Sequence, residues 1–240
     1  MRFPAPLSAA LAKFRIARIF RPHQHHCLLD FVDPAEVLHS GSSHPVSHEK
    51  VRDLLASPAT ALWIEGSEPL DHPGIAHLVR ALAQSKHLIF LGTNGILLRR
   101  RIHEFQPLPN LFLVVRLDSR QRGAFELAVE GLRAARLSGF FTIVHSVVNE
   151  APDFAELSRL RALLLEMDLD GWLTTAGSVG TGAAANAAKA RGLIPNRGWR
   201  RFSTRVEREL LAREKSKESR ELPQAEKRQG ETCAEGVKVA

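Results

Sequence analysis

Short apolar runs alternate with longer amphipathic stretches through most of the chain. The runs are rich in β-branched and aromatic residues, which is typical of buried parallel strands, and they predict strands at residues 27–32, 61–64, 87–91, 111–117, 140–148 and 171–175. Between them, apolar residues recur every three or four positions, and this period predicts helices at residues 47–56, 73–84, 97–104, 123–137 and 153–167. Strand–helix units repeated in this order indicate parallel strands joined by crossover helices.

The order of elements predicts an α/β fold, namely a partial (β/α)6 barrel of parallel strands with a charged C-terminal helix and tail. An open doubly wound sheet is the alternative. We divide the chain into a basic, histidine-rich N-terminal segment (1–25), the α/β domain (26–195) and a basic helical tail (196–240) that is expected to be disordered from about residue 216. Because no apolar run is long enough to span a bilayer and the N-terminus lacks an export signal, we expect a cytoplasmic protein without a transmembrane segment.

The net charge of +7 comes from 33 Lys and Arg residues against 26 Asp and Glu residues, and most of the excess lies in the C-terminal tail. Residues 197–228 contain eleven basic and six acidic side chains in a mixed order. A mixed order of this kind is typical of a solvent-exposed helix with ion pairs along it, and it argues against nucleic-acid binding. The possibility that the tail binds a protein partner stays open.

Polar residues follow five consecutive strands of the predicted sheet. Because the carboxyl ends of parallel strands meet at one edge, these side chains are expected at the functional face of the domain. They are Glu65, Ser67 and Glu68 after the second strand, Thr93 and Asn94 after the third, Arg116 and Asp118 after the fourth, His145, Ser146 and Asn149 at the fifth, and Thr175 and Ser178 at the sixth.

Two of these loops resemble loops of the radical S-adenosylmethionine superfamily. The run Glu65-Gly66-Ser67-Glu68-Pro69 is similar to the Gly-Gly-Glu-Pro that the family carries after its second strand, and Thr93-Asn94-Gly95 is similar to the Thr-Asn-Gly that often follows the third. The likeness extends over about residues 46–176 and is greatest to the hopanoid-biosynthesis branch, the adenosylhopane synthase type. It implies S-adenosylmethionine or a related nucleoside as the ligand and a [4Fe–4S] cluster as the second cofactor. The binding residues that it implies are Gly66, Ser67, Glu68, Pro69, Thr93, Asn94, Asp118, His145 and Asn149.

The chain departs from this family where the cluster is held. The family carries Cys-x3-Cys-x2-Cys in the loop after the first strand, whereas residues 33–45 of this chain contain no cysteine. Cys27 and Cys233, the two cysteines of the sequence, cannot replace three thiolate ligands. We therefore expect a degenerate domain without the cluster, for which we assign no catalytic residue and no metal ligand, and which retains weak binding of S-adenosylmethionine or a nucleoside.

Two alternatives stay open. One is an active hopanoid-type radical enzyme whose cluster has unconventional ligands, with Cys27 and the histidines His23, His25 and His26 as the candidates. On an extended segment His23, His25 and Cys27 would point to the same side, because alternate residues do so. The other is a non-catalytic scaffold protein that keeps the fold for an interface.

Overall fold

The computed structural model describes residues 1–22, 26–38, 47–117, 122–178 and 180–231. Within these ranges the chain forms six strands and nine α-helices. The strands are β1 (Leu29–Val32), β2 (Ala61–Ile64), β3 (Leu88–Thr93), β4 (Leu111–Arg116), β5 (Phe141–Val148) and β6 (Gly171–Ala176). The helices are α1 (Ala5–Phe20), α2 (Pro34–Val37), α3 (His48–Ala56), α4 (Ile75–Ala83), α5 (Leu98–Arg101), α6 (Arg122–Leu137), α7 (Phe154–Glu166), α8 (Thr181–Arg191) and α9 (Arg197–Glu231), with short 3-10 helices at Pro69–Asp71 and Ile102–Glu104.

The six strands form one sheet, in which every neighbouring pair is parallel and the spatial order follows the chain order. A doubly wound sheet would reverse its strand order at a switch point, and this sheet has no such reversal. The predicted α/β partial barrel is therefore confirmed, and the doubly wound alternative is wrong.

Most predicted elements lie within two residues of those in the structure, with two differences that matter. β3 runs on through Thr93, so that Thr93 ends the strand instead of following it. The N-terminal segment, for which the sequence predicted no element, forms the helix α1, which places Leu7 and Phe14 in the core.

A row of aromatic side chains crosses the sheet at one register. Phe31, Trp63, Phe90, Phe112 and Phe141 are direct neighbours on five successive strands. Ring centroids along the last four positions of the row lie 4.9–5.3 Å apart in stacked geometry. Side chains alternate between the two faces of a strand, so this row defines one face of the sheet. The crossover helices cover the other face, where Val148 of β5 packs with Phe154 of α7 and Ala187 of α8.

The first turns of α9 cover the aromatic face. Trp199, Phe202 and Val206 are at most 1% exposed, and the Phe202 ring stacks on Phe90 with a centroid separation of 5.5 Å. The Trp199 indole donates a hydrogen bond to the Asp170 carbonyl at 2.7 Å. Sequence analysis placed these residues in a basic tail, whereas in the structure they belong to the hydrophobic core.

Side chains of α9 also accept hydrogen bonds from the outer edge of β6, beside which the described ranges place no further strand. The Ser203 hydroxyl accepts a hydrogen bond from the Thr174 amide at 3.0 Å, and the Glu207 carboxylate accepts one from the Ala176 amide at 2.9 Å. Arg191 pairs with Glu207 at 2.7 Å. These bonds cover a sheet edge that would otherwise be open to pairing with another chain.

The domain boundaries at residues 25 and 195 and the disorder of the tail stay predictions. The structure continues α9 as a helix to Glu231, past residue 216 where the composition predicted disorder to begin. No helix within the described ranges has the length and apolar composition of a membrane span.

Replacing Trp199 with alanine should lower the free energy of unfolding by about 3–5 kcal/mol, because the change empties a fully buried site and removes the bond to Asp170. Phe20→Ala is the matched control, since Phe20 is 78% exposed, and it should change stability by less than about 0.5 kcal/mol. Urea denaturation followed by circular dichroism measures both. Equal midpoints for the two variants would show that α9 is not part of the folded core.

Candidate functional site

The Glu68 carboxylate joins the loop after β2 to the end of β3. Its Oε1 accepts hydrogen bonds from the Thr93 hydroxyl at 2.5 Å and the Leu70 amide at 3.2 Å. Its Oε2 accepts one from the Asn94 amide at 2.7 Å. Bonds to an ionised carboxylate are stronger than those between neutral groups, so this side chain fixes the two loops against each other. Glu68 is also the N-cap of the 3-10 helix Pro69–Asp71, whose first residue, Pro69, is buried.

The turn after β3 is held by its own side chains. Thr93 Oγ1 accepts from the Gly95 amide at 3.0 Å, and Asn94 Oδ1 accepts from the Ile96 amide at 2.9 Å. Gly95 has φ +81°, and a Cβ at this position would lie 2.7 Å from a methyl group of Val115. The turn therefore requires glycine for its backbone conformation and for the close packing.

Gly66 and Asp33 meet at the ends of β2 and β1. Gly66 has φ +154°, and a Cβ on it would lie 2.7 Å from the Asp33 carboxyl carbon. The Asp33 carboxylate also accepts a hydrogen bond from the Ala35 amide at 3.0 Å and so caps α2. Ser67 is exposed, with its hydroxyl 3.4 Å from His72 Nε2. This edge of the sheet thus carries two carboxylates, Asp33 and Glu68, beside a side-chain-free backbone at Gly66.

A second polar group, on the aromatic face, centres on Glu65. Its carboxylate accepts a hydrogen bond from the Trp63 indole at 2.7 Å and lies 3.8 Å from Arg116 of β4 and 3.5 Å from Arg213 of α9. The Arg213 guanidinium stands 4.7 Å from the centre of the Phe31 ring. α9 therefore crosses the carboxyl ends of β1 and β2 and supplies a cation there.

His145 is buried on the same face of β5. It is 4% exposed, and its Nε2 lies 2.8 Å from Thr175 Oγ1. Burial, with a smaller contribution from the nearby Arg116 cation, lowers the pKa of His145 to about 3. The imidazole is therefore neutral near pH 7, and it is enclosed rather than presented to a ligand from solvent.

The structure brings together six of the nine predicted site residues at the edge between β2 and β3: Gly66, Ser67, Glu68, Pro69, Thr93 and Asn94. His145 lies on β5, two strand spacings or roughly 10 Å from β3. Asn149 follows β5, close to Gly177, and borders a cavity of about 800 Å³ that Phe125 and Leu157 also line. Asp118 lies outside the described residues.

The thiol of Cys27 lies at the opposite end of the sheet from these loops. Cys27 precedes β1, and the four residues of that strand span roughly 13 Å. Its Sγ donates a hydrogen bond to the Leu29 carbonyl at 2.8 Å. Burial, followed by the negative charges of Glu209 and Asp30, raises the pKa of the Cys27 thiol, so the protonated form is favoured. His23, His25, His39, His44 and Cys233 lie outside the described residues.

These residues do not fit an iron–sulfur cluster at the carboxyl edge of the sheet. Such a cluster is held by thiolates, and the only described cysteine is a thiol at the amino end of β1. Within the described part of the chain, no three His, Cys, Asp or Glu side chains are grouped in a way that suits a metal ion.

Sequence analysis missed two residues at this edge, Asp33 and Arg213. Asp33 had a local signal, because an aspartate directly before Pro34 at the end of a strand is typical of a helix N-cap. No local sequence signal marks Arg213. It is almost 150 positions from Glu65 in the sequence, and the two residues meet because α9 crosses the sheet.

Solved structures share this fold at low sequence identity. Streptococcus suis SuiB bound to S-adenosylmethionine matches with a TM-score of 0.54 and 14% identity, over 72% of this chain and 46% of that chain. SuiB bound to precursor peptide SuiA matches with a TM-score of 0.54 and 15% identity, over 72% and 44%. No protein-family model and no curated protein sequence matches the chain.

At this identity the likeness shows the fold alone. The chain has the partial-barrel fold seen in SuiB, and this agrees with the fold that the resemblance to the radical S-adenosylmethionine superfamily implies. It spans less than half the length of SuiB.

Thr93→Val should lower the free energy of unfolding by about 1–3 kcal/mol, because it removes the hydroxyl that donates to Glu68 and accepts from the Gly95 amide while keeping the shape of the side chain. Ser67→Ala in the facing loop is the control and should have an effect below about 0.5 kcal/mol. Urea denaturation of the three proteins gives the comparison. If both variants were as stable as the wild type, the bonds of the Thr93 hydroxyl to Glu68 and Gly95 would not stabilise the two loops.

Acid should destabilise the fold through His145. A histidine whose folded-state pKa lies below its ordinary value of 6.5 favours the native state above pH 6.5, and this contribution is lost as the pH falls toward 3. The wild type should therefore lose up to about 1.4 kcal/mol per pH unit below pH 6.5, and His145→Gln should lack this part of the slope. Urea denaturation of both proteins at pH 7, 6 and 5 gives the free energy of unfolding and its slope with pH. His103→Gln, at an exposed position, should keep the wild-type slope, and an unchanged slope in His145→Gln would contradict the assignment.

Proposed function

We propose that this chain is a non-catalytic domain of radical-S-adenosylmethionine type, which has lost the [4Fe–4S] cluster and retains weak binding of S-adenosylmethionine or a related nucleoside. The observation that carries the proposal is the contrast at one edge of the sheet. Glu68, Thr93 and Asn94 are joined by hydrogen bonds in two ordered loops, whereas the neighbouring loop after β1 contains no cysteine. Among members of the superfamily, the hopanoid-biosynthesis type is the ancestry that we propose.

The chemistry of the β2–β3 edge supports a ligand that carries an ammonium group. Asp33 and Glu68 are carboxylates beside the exposed backbone of Gly66, and a carboxylate is a strong acceptor for an ammonium donor. S-adenosylmethionine has such a group on its methionine part. Glu68 already accepts three bonds from its own chain, and Ser67 adds a side chain to the loop, so we expect this edge to bind weakly.

The position of Cys27 supports the loss of the cluster. Its thiol is at the amino end of β1 and keeps its proton, whereas a cluster that acts on the bound ligand has to lie at the carboxyl end. An active radical enzyme with Cys27 as a cluster ligand would need this thiol at the other end of the strand. We therefore favour the non-catalytic domain over this alternative.

The cover over the aromatic face supports the same proposal. Phe202 stacks on Phe90, and Arg213 pairs with Glu65 and lies over Phe31. A residue of the chain itself thus neutralises the carboxylate of Glu65 and occupies the surface beside it. We infer that binding is confined to the β2–β3 edge and that a large apolar substrate is not accommodated on the aromatic face.

Isothermal titration of the full-length protein with S-adenosylmethionine should show binding that Ser67→Phe abolishes, because a bulky side chain at this exposed position obstructs the edge without removing any bond to Glu68. Ser138→Phe, a matched change at an exposed position after α6, should bind as the wild type does. Chromatography of the same samples after incubation with a strong reductant should show intact S-adenosylmethionine. Equal binding by both variants would show that the ligand binds elsewhere. Release of 5′-deoxyadenosine would show that the domain is an active enzyme.

A further inference from the structure

Helix α1 is apolar on two opposite faces. Leu7 and Phe14 point into the core and are at most 7% exposed. With a rotation of 100° per residue, Ile16, Ile19 and Phe20 fall within about 100° of one another on the side opposite Phe14. They are 54%, 72% and 78% exposed, respectively. Three large apolar side chains clustered on one turn of a surface helix mark an interaction surface rather than an isolated exposed residue.

Cations flank this apolar face, and α1 contains no acidic residue. Lys13 and Arg15 lie on either side of this face around the helix, whereas Arg18 lies on the side of Phe14. Within the described part of the chain, neither Lys13 nor Arg15 forms an ion pair. The charges of these two residues are therefore available to an anionic partner.

We propose that the outward face of α1 docks on a bilayer of anionic phospholipid. Ile16, Ile19 and Phe20 enter the boundary between headgroups and acyl chains, and Lys13 and Arg15 contact lipid phosphates. Apolar residues on one face with lysine and arginine along its flanks are the features of a helix that lies in the plane of a membrane interface. Charge complementarity selects an anionic lipid, because the flanks of the face carry cations alone. This inference is independent of the proposed nucleoside site, which lies at the carboxyl edge of the sheet.

Vesicle sedimentation tests the proposal with the full-length protein. The wild type should sediment with vesicles of phosphatidylcholine and phosphatidylglycerol in equal parts and remain in the supernatant with phosphatidylcholine alone. Ile19→Ser/Phe20→Ser should lose binding to the anionic vesicles. Lys13→Gln/Arg15→Gln should bind about 25-fold more weakly, since each cation near such a surface contributes about fivefold. Salt at 0.5 M should weaken wild-type binding, because it screens the lipid charge.

Leu137→Ser is the matched control, because Leu137 is 89% exposed on α6 and its loss removes an apolar surface residue elsewhere. It should sediment as the wild type does, and circular dichroism should give the same spectrum for every variant. Failure of the wild type to bind anionic vesicles would overturn the proposal, as would undiminished binding by Ile19→Ser/Phe20→Ser. Self-association of the wild type that this double variant abolishes, without any vesicle binding, would assign the face to a protein contact instead.

Discussion

The aromatic row across β1 to β5 is the constraint on which the rest of this structure depends. A partial barrel does not close on itself, so one face of its sheet is left without a crossover helix, and here that face carries Trp63, Phe90 and Phe112 in stacked contact. Exposure of these rings would cost much of the stability that burial of apolar surface provides. Helix α9 covers this face, because Phe202 stacks on Phe90. Ser203 and Glu207 of the same helix accept hydrogen bonds from the backbone amides at the outer edge of β6.

The position of α9 over the aromatic face determines which part of the sheet edge a ligand can reach. α9 brings Arg213 to Glu65 at the carboxyl end of β2, so the cation that pairs with this carboxylate belongs to the chain itself. The exposed residues of the proposed binding edge are then Gly66, Ser67 and Asn94, beside the carboxylates of Asp33 and Glu68. Glu68 holds this edge in place by accepting hydrogen bonds from Thr93 and Asn94. Because these bonds occupy both of its carboxylate oxygens, Glu68 has little capacity left to accept bonds from a ligand.

The strand–helix units and the parallel sheet could be predicted from the sequence, because the apolar period of each unit is a local property and short connections leave few topologies. The loops around Glu68 and Thr93 could be predicted for the same reason, since each is a short run at a strand end. The roles of Trp199, Phe202 and Arg213 could not be predicted. The apolar residues of α9 stand among many charged ones and give no clear periodic pattern, and the position of α9 over the sheet depends on contacts with β3 and β6. The burial of His145 was likewise invisible, since it results from rings and helices far away in the chain.

We propose that the barrel persists without the iron–sulfur cluster that the resemblance implies. Iron and sulfide content, with the EPR spectrum, after anaerobic reconstitution of the wild type and Cys27→Ala tests it most directly. We expect iron well below stoichiometric amounts in both proteins and no cluster signal, because the described thiol is protonated and lies at the amino end of β1. About four irons and four sulfides per chain in the wild type, lost in Cys27→Ala, would contradict the account and assign the cluster to Cys27 and unconventional ligands.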